Sequence, residues 1–172
     1  MGAADDHALP PGGERPLTAG EIALVRAMFG TAVETDAVRI RRRRFFPFQP
    51  RQVAMAPCGH VHFHPRGSLY HDDFSLAPLT MQGLFLHEMT HVWQAQQRGR
   101  WYLVLMRHPL CRYDYAVRAG WPLARYGLEQ QAEIVRHAFL MRNGLRIPGV
   151  AESEVLESIL PFDPSVRPMR AT

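Results

Sequence analysis

The residues with the clearest chemical potential form the motif His-Glu-x-x-His, at His87, Glu88 and His91. On a helix, His87 and His91 lie one turn apart on the same face, so both can bind one metal ion. Glu88 is the next residue round the helix, where a general base for a metal-activated water is required. The apolar residues 84–86 and Val92-Trp93 predict that this helix is buried. The motif therefore predicts a metal site on a buried helix.

A catalytic zinc site needs a third protein ligand. The three-histidine form of the motif requires Gly at position 94 and His at position 97, and this chain has Gln94 and Gln97 instead. Glu129 and Glu133 lie four residues apart, so on a helix they share a face. We predict that Glu129 binds the metal and that Glu133 accepts a hydrogen bond from a ligand histidine, with the reverse assignment as the alternative. Three further residues are candidates for the third ligand: His108, Asp114 and His137.

These residues predict zinc-assisted hydrolysis of a peptide or amide bond. A zinc ion would activate a water molecule, and Glu88 would act as the general base that accepts its proton. Such sites usually add a donor that stabilises the developing oxyanion or contacts the substrate. The sequence does not select one donor, and the candidates are Tyr70, His71, Tyr113, Tyr115 and Tyr126.

Two further groups of metal-binding residue types give weaker signals. His60, His62 and His64 alternate, so in a strand they share a face, but their spacing is wide for one ion and no carboxylate accompanies them. A wall beside the active-site cleft or plain solvated histidines account for them better. Cys58 and Cys111 form no Cys-x-x-Cys motif, and we interpret them as two thiols, with a single bridge as the alternative.

A run of arginines at 39 and 41–44 suggests a second class of function, because basic residues followed by Phe45 and Phe46 could bind nucleic acid. In a strand, however, alternate arginines point in opposite directions, which dilutes any single basic patch. A charged edge strand that resists aggregation explains the same residues. Nucleic-acid binding is therefore the weaker hypothesis.

The hydrophobic pattern predicts an α+β fold. We expect helices from a capping box at Thr18 to Gly30, from Pro78 to Arg98, from Pro122 or Leu128 to Arg142, and over 151–160. A strand over 37–46 and a hairpin of 53–56 with 61–64 are expected to form a small sheet. Residues 101–106 fit a strand or a helix equally well. Residues 1–17 are predicted to be a disordered lead, 18–160 one domain, and 161–172 a loose tail.

The 172 residues suit a single domain. All 20 basic residues are arginine, and the formal net charge is +4. No apolar run reaches the roughly 18–20 residues of a membrane span. The N-terminal residues lack the basic start and apolar core of a secretory signal. We therefore expect a cytoplasmic protein, or one exported without a cleaved signal peptide.

Segments 87–94 and 126–135 resemble a known family. They read His-Glu-Met-Thr-His-Val-Trp-Gln and Tyr-Gly-Leu-Glu-Gln-Gln-Ala-Glu-Ile-Val. They are similar to small bacterial zinc metallopeptidases with the signature H-E-(L/M)-T-H-V-x-Q. Some of these proteins are described as vgr-related, after the spike proteins of type VI secretion, and others are domains attached to toxin-associated proteins. The similarity covers about residues 74–142.

The resemblance implies a zincin-like fold of the gluzincin type, with an active-site helix, a glutamate-bearing helix and a small sheet whose edge strand lines the cleft. It implies His87, His91 and Glu129 as zinc ligands and Glu88 as the catalytic base. It also suggests secretion-system spike or toxin-associated proteins as partners. One rival function is a non-catalytic zinc-binding scaffold or adaptor associated with a bacterial secretion system. The other rival is the arginine-rich nucleic-acid binder.

Overall fold

A computed structural model describes residues 9–106 and 113–162 of the protein. Within these ranges the fold mixes five α-helices with a three-stranded sheet, as the α+β prediction expected. No helix in the described ranges has both the length and the apolar character needed to cross a membrane. The elements in chain order are β1 (Glu14–Pro16), α1 (Ala19–Phe29), β2 (Arg39–Arg41), β3 (Val61–His62), α2 (Leu79–Arg98), α3 (Tyr102–Met106), α4 (Leu128–Arg142) and α5 (Ser153–Ile159).

Helix α2 is the longest element and crosses the core. It begins after Pro78, whose fixed φ suits a helix start, and ends at Gly99, which adopts a φ of 99°. Its inward residues, including Phe85, Leu86 and Met89, are fully buried. The predicted bounds of this helix and the 128–142 alternative for the later one are confirmed.

Helices α2 and α4 form the principal helix pair of the domain. Gly83 lies where α4 comes close, because an added Cβ there would be 3.0 Å from Cδ2 of Leu140. Four residues further along α2, His87 meets Glu133 of α4, and His91 then meets Glu129. Residue numbers rise along α2 as they fall along α4, so the two helices are antiparallel.

Helix α1 is fixed by polar contacts at its N-terminus. Thr18 and Glu21 form the predicted capping box, in which each side chain bonds to the other residue's backbone N–H. The buried Glu21 carboxylate also accepts two hydrogen bonds of 2.8 Å from Arg15 and one of 3.0 Å from the Phe74 N–H. The helix start is thereby joined to β1 and to the turn before α2.

The sheet differs from the prediction in extent and in topology. The strand expected over 37–46 is limited to β2, which pairs antiparallel with β1 and parallel with β3. β1 lies inside the segment predicted to be disordered, because Gly12 and Gly13 exchange backbone hydrogen bonds with Arg42. The interpretation of the arginine run as an edge strand is also wrong, since β2 is the central strand.

The predicted hairpin of 53–56 with 61–64 is reduced to a single bridge between Met55 and His62. These two residues exchange both backbone hydrogen bonds, at 3.1 and 2.7 Å. Beyond them a longer hairpin would pair Val53 with His64. The Val53 N–H instead donates to Pro50, and the Val53 carbonyl accepts from Gln49. These local bonds of Val53 end the hairpin after one bridge.

Stacked aromatic rings join the sheet to the long helix. Phe63, just after β3, stacks on Phe74, and Phe74 stacks on Phe85 of α2, with ring centroids 5.1 Å apart in both pairs. All three side chains are buried. The stack places the sheet against α2 two residues before His87.

Two other segments bear on the predictions: the structure settles the open choice at 101–106 and changes the expectation for the C-terminal tail. The ambiguous segment at 101–106 contains helix α3. At the C-terminal side, Phe162 is buried and packs edge-on against Phe29 and Trp93, so this residue of the expected loose tail belongs to the core.

Candidate metal centre

Helix α2 presents the two histidines of the motif on one face, with their rings edge to face. His87 and His91 lie one turn apart, with ring centroids separated by 5.0 Å. Their residues are 5% and 0% exposed, so neither ring is freely hydrated. Buried imidazoles at this spacing can offer ligand atoms to one ion, provided that a partner completes the set.

Helix α4 supplies that partner. Oε2 of Glu129 lies 3.3 Å from Nε2 of His87 and 3.2 Å from Nε2 of His91. The ligand atoms of the three residues all lie within 4.8 Å of one another, and Glu129 is buried. Among the residues that the structure describes, this is the group of His, Cys, Asp and Glu side chains close enough to hold one metal ion.

The second nitrogen of His87 contacts a further carboxylate. Nδ1 of His87 lies 2.8 Å from Oε1 of Glu133, one turn beyond Glu129 on α4. Burial disfavours the protonated imidazole, but the carboxylates of Glu129 and Glu133 outweigh it and raise the pKa of His87 to about 9. Burial would also raise the pKa of Glu133, yet the nearby His87 holds it below its usual value. The structure thus places Glu133 where the sequence-based hypothesis required it.

His91 is oriented by amides instead. Its Nδ1 lies 2.9 Å from Oε1 of Gln94, while Nε2 of Gln94 donates to Oε1 of Gln131 at 2.9 Å and to the Leu128 carbonyl at 3.1 Å. Gln131 in turn donates to the carbonyl of Tyr126 at 2.7 Å. We call Gln94, Gln131 and the Tyr126 carbonyl the amide network.

Sequence reasoning missed this network. Gln94 served to exclude a three-histidine site and as the last residue of the family signature, and neither Gln94 nor Gln131 was given a role at the histidines. A usable signal was present, because Gln94 lies three residues after His91 and therefore on the same helical face. Flipping the Gln94 amide would place its NH₂ group against the N–H of His91 and its oxygen against two acceptors, the Leu128 carbonyl and Oε1 of Gln131.

The donor set fits a metal ion. Both Nδ1 atoms contact oxygen acceptors, so the tautomer with the proton on Nδ1 leaves each Nε2 with a lone pair. Both Nε2 atoms then face the same carboxylate oxygen of Glu129. Lone pairs that converge on a carboxylate are favourable only with a cation among them, either a proton or a metal ion. Two histidines and one glutamate, with both rings held from behind, match a three-ligand zinc site.

Glu88 is placed to act beside this group. It is 3% exposed, and its negative charge contributes to the raised pKa of His87, so it lies close to that ring. Oε2 of Glu88 is buried without a hydrogen-bond partner among the described residues. A buried carboxylate oxygen is costly to leave unpaired, and a water or substrate proton would satisfy it.

The candidate oxyanion donors fall into two regions. The ring of Tyr113 lies nearly parallel to His87, with centroids 6.4 Å apart, and is 53% exposed. The Tyr115 hydroxyl hydrogen-bonds to Nδ1 of His137 at 2.7 Å, and the Tyr126 hydroxyl accepts from the Arg118 N–H at 3.0 Å. Tyr70 and the backbone of His71 instead contact Arg15 beside β1.

The alternative third ligands are accounted for in part. His108 lies outside the described residues. The carbonyl of Asp114 accepts a hydrogen bond from Gln130, and Nε2 of His137 lies 3.3 Å from Oε2 of Glu133. His137 therefore contacts the carboxylate behind His87 and is not part of the three-residue group.

The remaining sequence signals lie away from this centre. His62 is buried edge-on against Phe45, with Nδ1 3.3 Å from the Arg43 carbonyl, and the three alternating histidines form no metal group among the described residues. Burial and the charge of Arg41 lower the pKa of His62 to about 4. Cys58 is a free thiol, and Cys111 lies outside the described residues, so the bridge between them stays untested.

The arginine run is largely used within the fold. Arg41 and Arg43 both bind Oε2 of Glu14, at 3.1 and 2.9 Å. Arg42 donates to the carbonyl of Leu9, and Arg44 donates to that of Pro47. These contacts account for the run without a nucleic acid.

Comparisons with known proteins agree with one another. No family model matches the chain. Over 138 residues the chain is 40% identical to the type VI secretion system spike protein VgrG2b of Pseudomonas aeruginosa; the match spans 75% of this chain and only 13% of the spike protein. The solved effector domain of Pseudomonas aeruginosa VgrG2b superimposes with a TM-score of 0.70 and 33% identity, over 93% of this chain and 88% of that domain. The chain belongs to the family of the VgrG2b effector domain.

Proposed function

We propose that this protein is a zinc-dependent effector domain with a zincin-like fold that hydrolyses a peptide or amide bond. The observation that carries the proposal is the buried group of His87, His91 and Glu129, with the unpartnered Glu88 oxygen next to it. Three protein ligands leave a tetrahedral ion one open position, which is the arrangement of catalytic zinc sites.

In this proposal the ligands bind through Nε2 of His87, Nε2 of His91 and the carboxylate of Glu129. Glu133 and Gln94 hold the two rings from the opposite side, so that the lone pairs remain directed at the ion. When bound, zinc supplies a Lewis acid that lowers the pKa of a water ligand and polarises a substrate carbonyl.

The proton transfer is assigned to Glu88. Its free Oε2 accepts the proton of the attacking water and returns it to the leaving amine. Burial around the group excludes bulk water, which strengthens each electrostatic contact during the reaction. Of the candidate donors, Tyr113 has the geometry that best suits substrate contact, because it is exposed and parallel to a ligand ring.

The proposed setting is type VI secretion. A spike protein and its effector domain are the matched relatives, and this supports the secretion-system partners suggested by the family resemblance. Export through that machinery would also need no cleaved signal peptide. Because the match spans 13% of the spike protein, the activity and partners of that whole protein are proposed for this chain and not carried over as facts.

A second candidate is a non-catalytic metal-binding adaptor of the same secretion system. The names of the matched relatives refer to type VI secretion and to an effector domain but not to hydrolysis, and this favours the adaptor. Both candidates use the same three ligands. They differ at Glu88, which only the hydrolase requires.

The test combines metal content with turnover. We expect about one zinc per chain in wild-type protein, loss of zinc in His91→Ala, and retention in the matched control His60→Ala, which removes a histidine outside the group. Glu88→Gln should keep the zinc and lose hydrolysis in a screen of peptide and cell-wall substrates. Wild-type protein that is free of metal when prepared without chelator would contradict the zinc site, and full activity of Glu88→Gln would contradict the base.

A further inference from the structure

A row of polar side chains continues outward from His87 beyond Glu133. Oε2 of Glu133 lies 3.3 Å from Nε2 of His137, one turn further along α4. Nδ1 of His137 lies 2.7 Å from the hydroxyl of Tyr115, in the segment before α4. We call Glu133, His137 and Tyr115 the carboxylate network, and its inner end is the 2.8 Å contact with Nδ1 of His87.

The donors and acceptors of this network can be assigned in one consistent direction. An ionised carboxylate carries no proton, so the nitrogens that face Glu133 are the ones that carry protons: Nδ1 of His87 at 2.8 Å and Nε2 of His137 at 3.3 Å. A neutral His137 has one N–H, so its Nδ1 is an acceptor and the Tyr115 hydroxyl must donate to it. Burial lowers the pKa of His137, and the Glu133 carboxylate compensates only in part, which agrees with a neutral ring.

The burial of the network decreases toward its outer end. The side chain of His87 is 6% exposed, that of Glu133 14% and that of His137 19%. Burial and the charge of Glu133 raise the pKa of Tyr115 above its usual value, so its hydroxyl stays a donor. Partly buried hydrogen bonds of this kind restrict side-chain rotation, because water competes with them poorly.

The same network joins the metal centre to segment 113–118. Besides Tyr115, this segment is held by Nε2 of Gln130, which donates to the Asp114 carbonyl at 2.6 Å, and by the hydroxyl of Tyr126, which accepts from the Arg118 N–H. Tyr113, two residues before Tyr115, lies over the ring of His87. The tyrosine above the ligand and the carboxylate behind it are thus fixed by one set of contacts.

We propose that His137 and Tyr115 are positioning residues that orient the Glu133 carboxylate and, through it, the metal-binding ring of His87. This inference rests on the proposed zinc site and assigns neither residue to the reacting atoms. The Tyr115 hydroxyl acts only through His137, so its effect must disappear when Glu133 can no longer accept from His137.

The test is a double-mutant cycle on zinc affinity, measured by competition with a chromogenic chelator. Glu133→Ala, which removes the acceptor for both histidines, should weaken zinc binding about 10–100-fold, the range found for outer partners of metal ligands. Tyr115→Phe should weaken it on the order of threefold to tenfold, because it removes one hydroxyl two contacts further out. The double variant should match Glu133→Ala alone. Tyr102→Phe, which removes a hydroxyl bonded to Arg98 outside the centre, is the matched control and should bind zinc as the wild type does.

Wild-type affinity in Tyr115→Phe, or a loss that adds to that of Glu133→Ala, would overturn the proposal. A second measurement separates this failure from failure of the zinc site itself. Side-chain ¹H–¹⁵N NMR of chelator-treated protein should show His137 with its proton on Nε2. In Tyr115→Phe the Nδ1 resonance of His137 should shift, because the hydroxyl that donates to it is gone. If the wild type binds no zinc, the proposed function fails. A proton on Nδ1 of His137 in the NMR spectrum would reject the carboxylate network, whatever the zinc result.

Discussion

The two histidines of the motif are held from behind in opposite ways. His91 is fully buried and rests on the amide network, which is neutral and ends at a backbone carbonyl. His87 rests on the carboxylate network, which carries a negative charge and reaches the partly buried Tyr115. Although the rings are one helical turn apart, one is held by dipoles and the other by a charge.

This difference separates two tasks. An amide fixes the tautomer of an imidazole without changing its charge balance, so the His91 side is suited to holding geometry. A carboxylate also fixes the tautomer, but in addition it stabilises the protonated ring and raises ligand basicity. The His87 side should therefore respond to pH and to charge-changing substitutions, and the His91 side to changes in packing.

The largest expected effect comes from Glu129, which both histidines share. Glu129→Ala should weaken zinc binding beyond the roughly 10–100-fold expected for an outer partner, because it removes a ligand. Glu133→Ala should fall within that range. Metal analysis and chelator competition on the two variants provide the comparison. A greater loss in Glu133→Ala would reverse the assignment of ligand and partner.

The next effect distinguishes the two networks directly. Gln94→Met should weaken zinc binding and also destabilise the fold by about 1–3 kcal/mol, because it leaves Nδ1 of His91 and the Gln131 oxygen buried without their partner. Glu133→Gln should weaken zinc binding with a smaller loss of stability, since its carboxylate is partly exposed. Urea unfolding in the presence of chelator measures the stability difference. Equal losses of stability in Gln94→Met and Glu133→Gln would contradict the idea that the amide network holds geometry while the carboxylate network supplies charge.

The smallest effect is a pH dependence confined to the His87 side. In chelator-treated protein the pKa of His87 is about 9 against 6.5 unfolded, so its contribution to stability is complete below pH 6.5 and is lost as the pH rises through 9. The pKa of Glu133 lies below 4.5, so its contribution is present above pH 4.5 and lost as the pH falls further. Unfolding at a series of pH values should show a decline from pH 6.5 to 9.

Glu133→Gln should flatten that decline, whereas Gln94→Met should keep it. Zinc affinity should change in the opposite direction and rise over the same pH window, because the metal competes with the proton on His87. A decline that survives Glu133→Gln unchanged would mean that Glu129 and Glu88 raise the pKa of His87 without Glu133.

Local signals in the sequence predicted the elements that carry the centre. The capping box at Thr18, the glycine after Arg98 and the apolar spacing around His87 are each short-range patterns, and the corresponding helices appear where expected. The four-residue spacing of Glu129 and Glu133 also predicted that both would point toward the histidines. The structure brings them there, at 3.3 Å and 2.8 Å from His87.

Features that depend on distant partners could not be read in the same way. The parallel pairing of β2 with β3 joins residues about twenty positions apart, so no local pattern signals it. β1 forms only because Arg42 and its neighbours offer backbone partners to a glycine-containing segment. The amide network likewise needs α4 beside α2, so Gln131 carried no signal in isolation.

The close packing at Gly83 has a consequence for the helix pair that carries the metal centre. A methyl group there would meet Leu140 at 3.0 Å, so the side chain of Leu140 would have to yield by a few tenths of an ångström. This contact lies one turn before His87, where α4 approaches α2. Alanine is the better helix former, by roughly 1 kcal/mol. The glycine therefore gives up helix propensity and leaves room for the Leu140 side chain where the two helices meet.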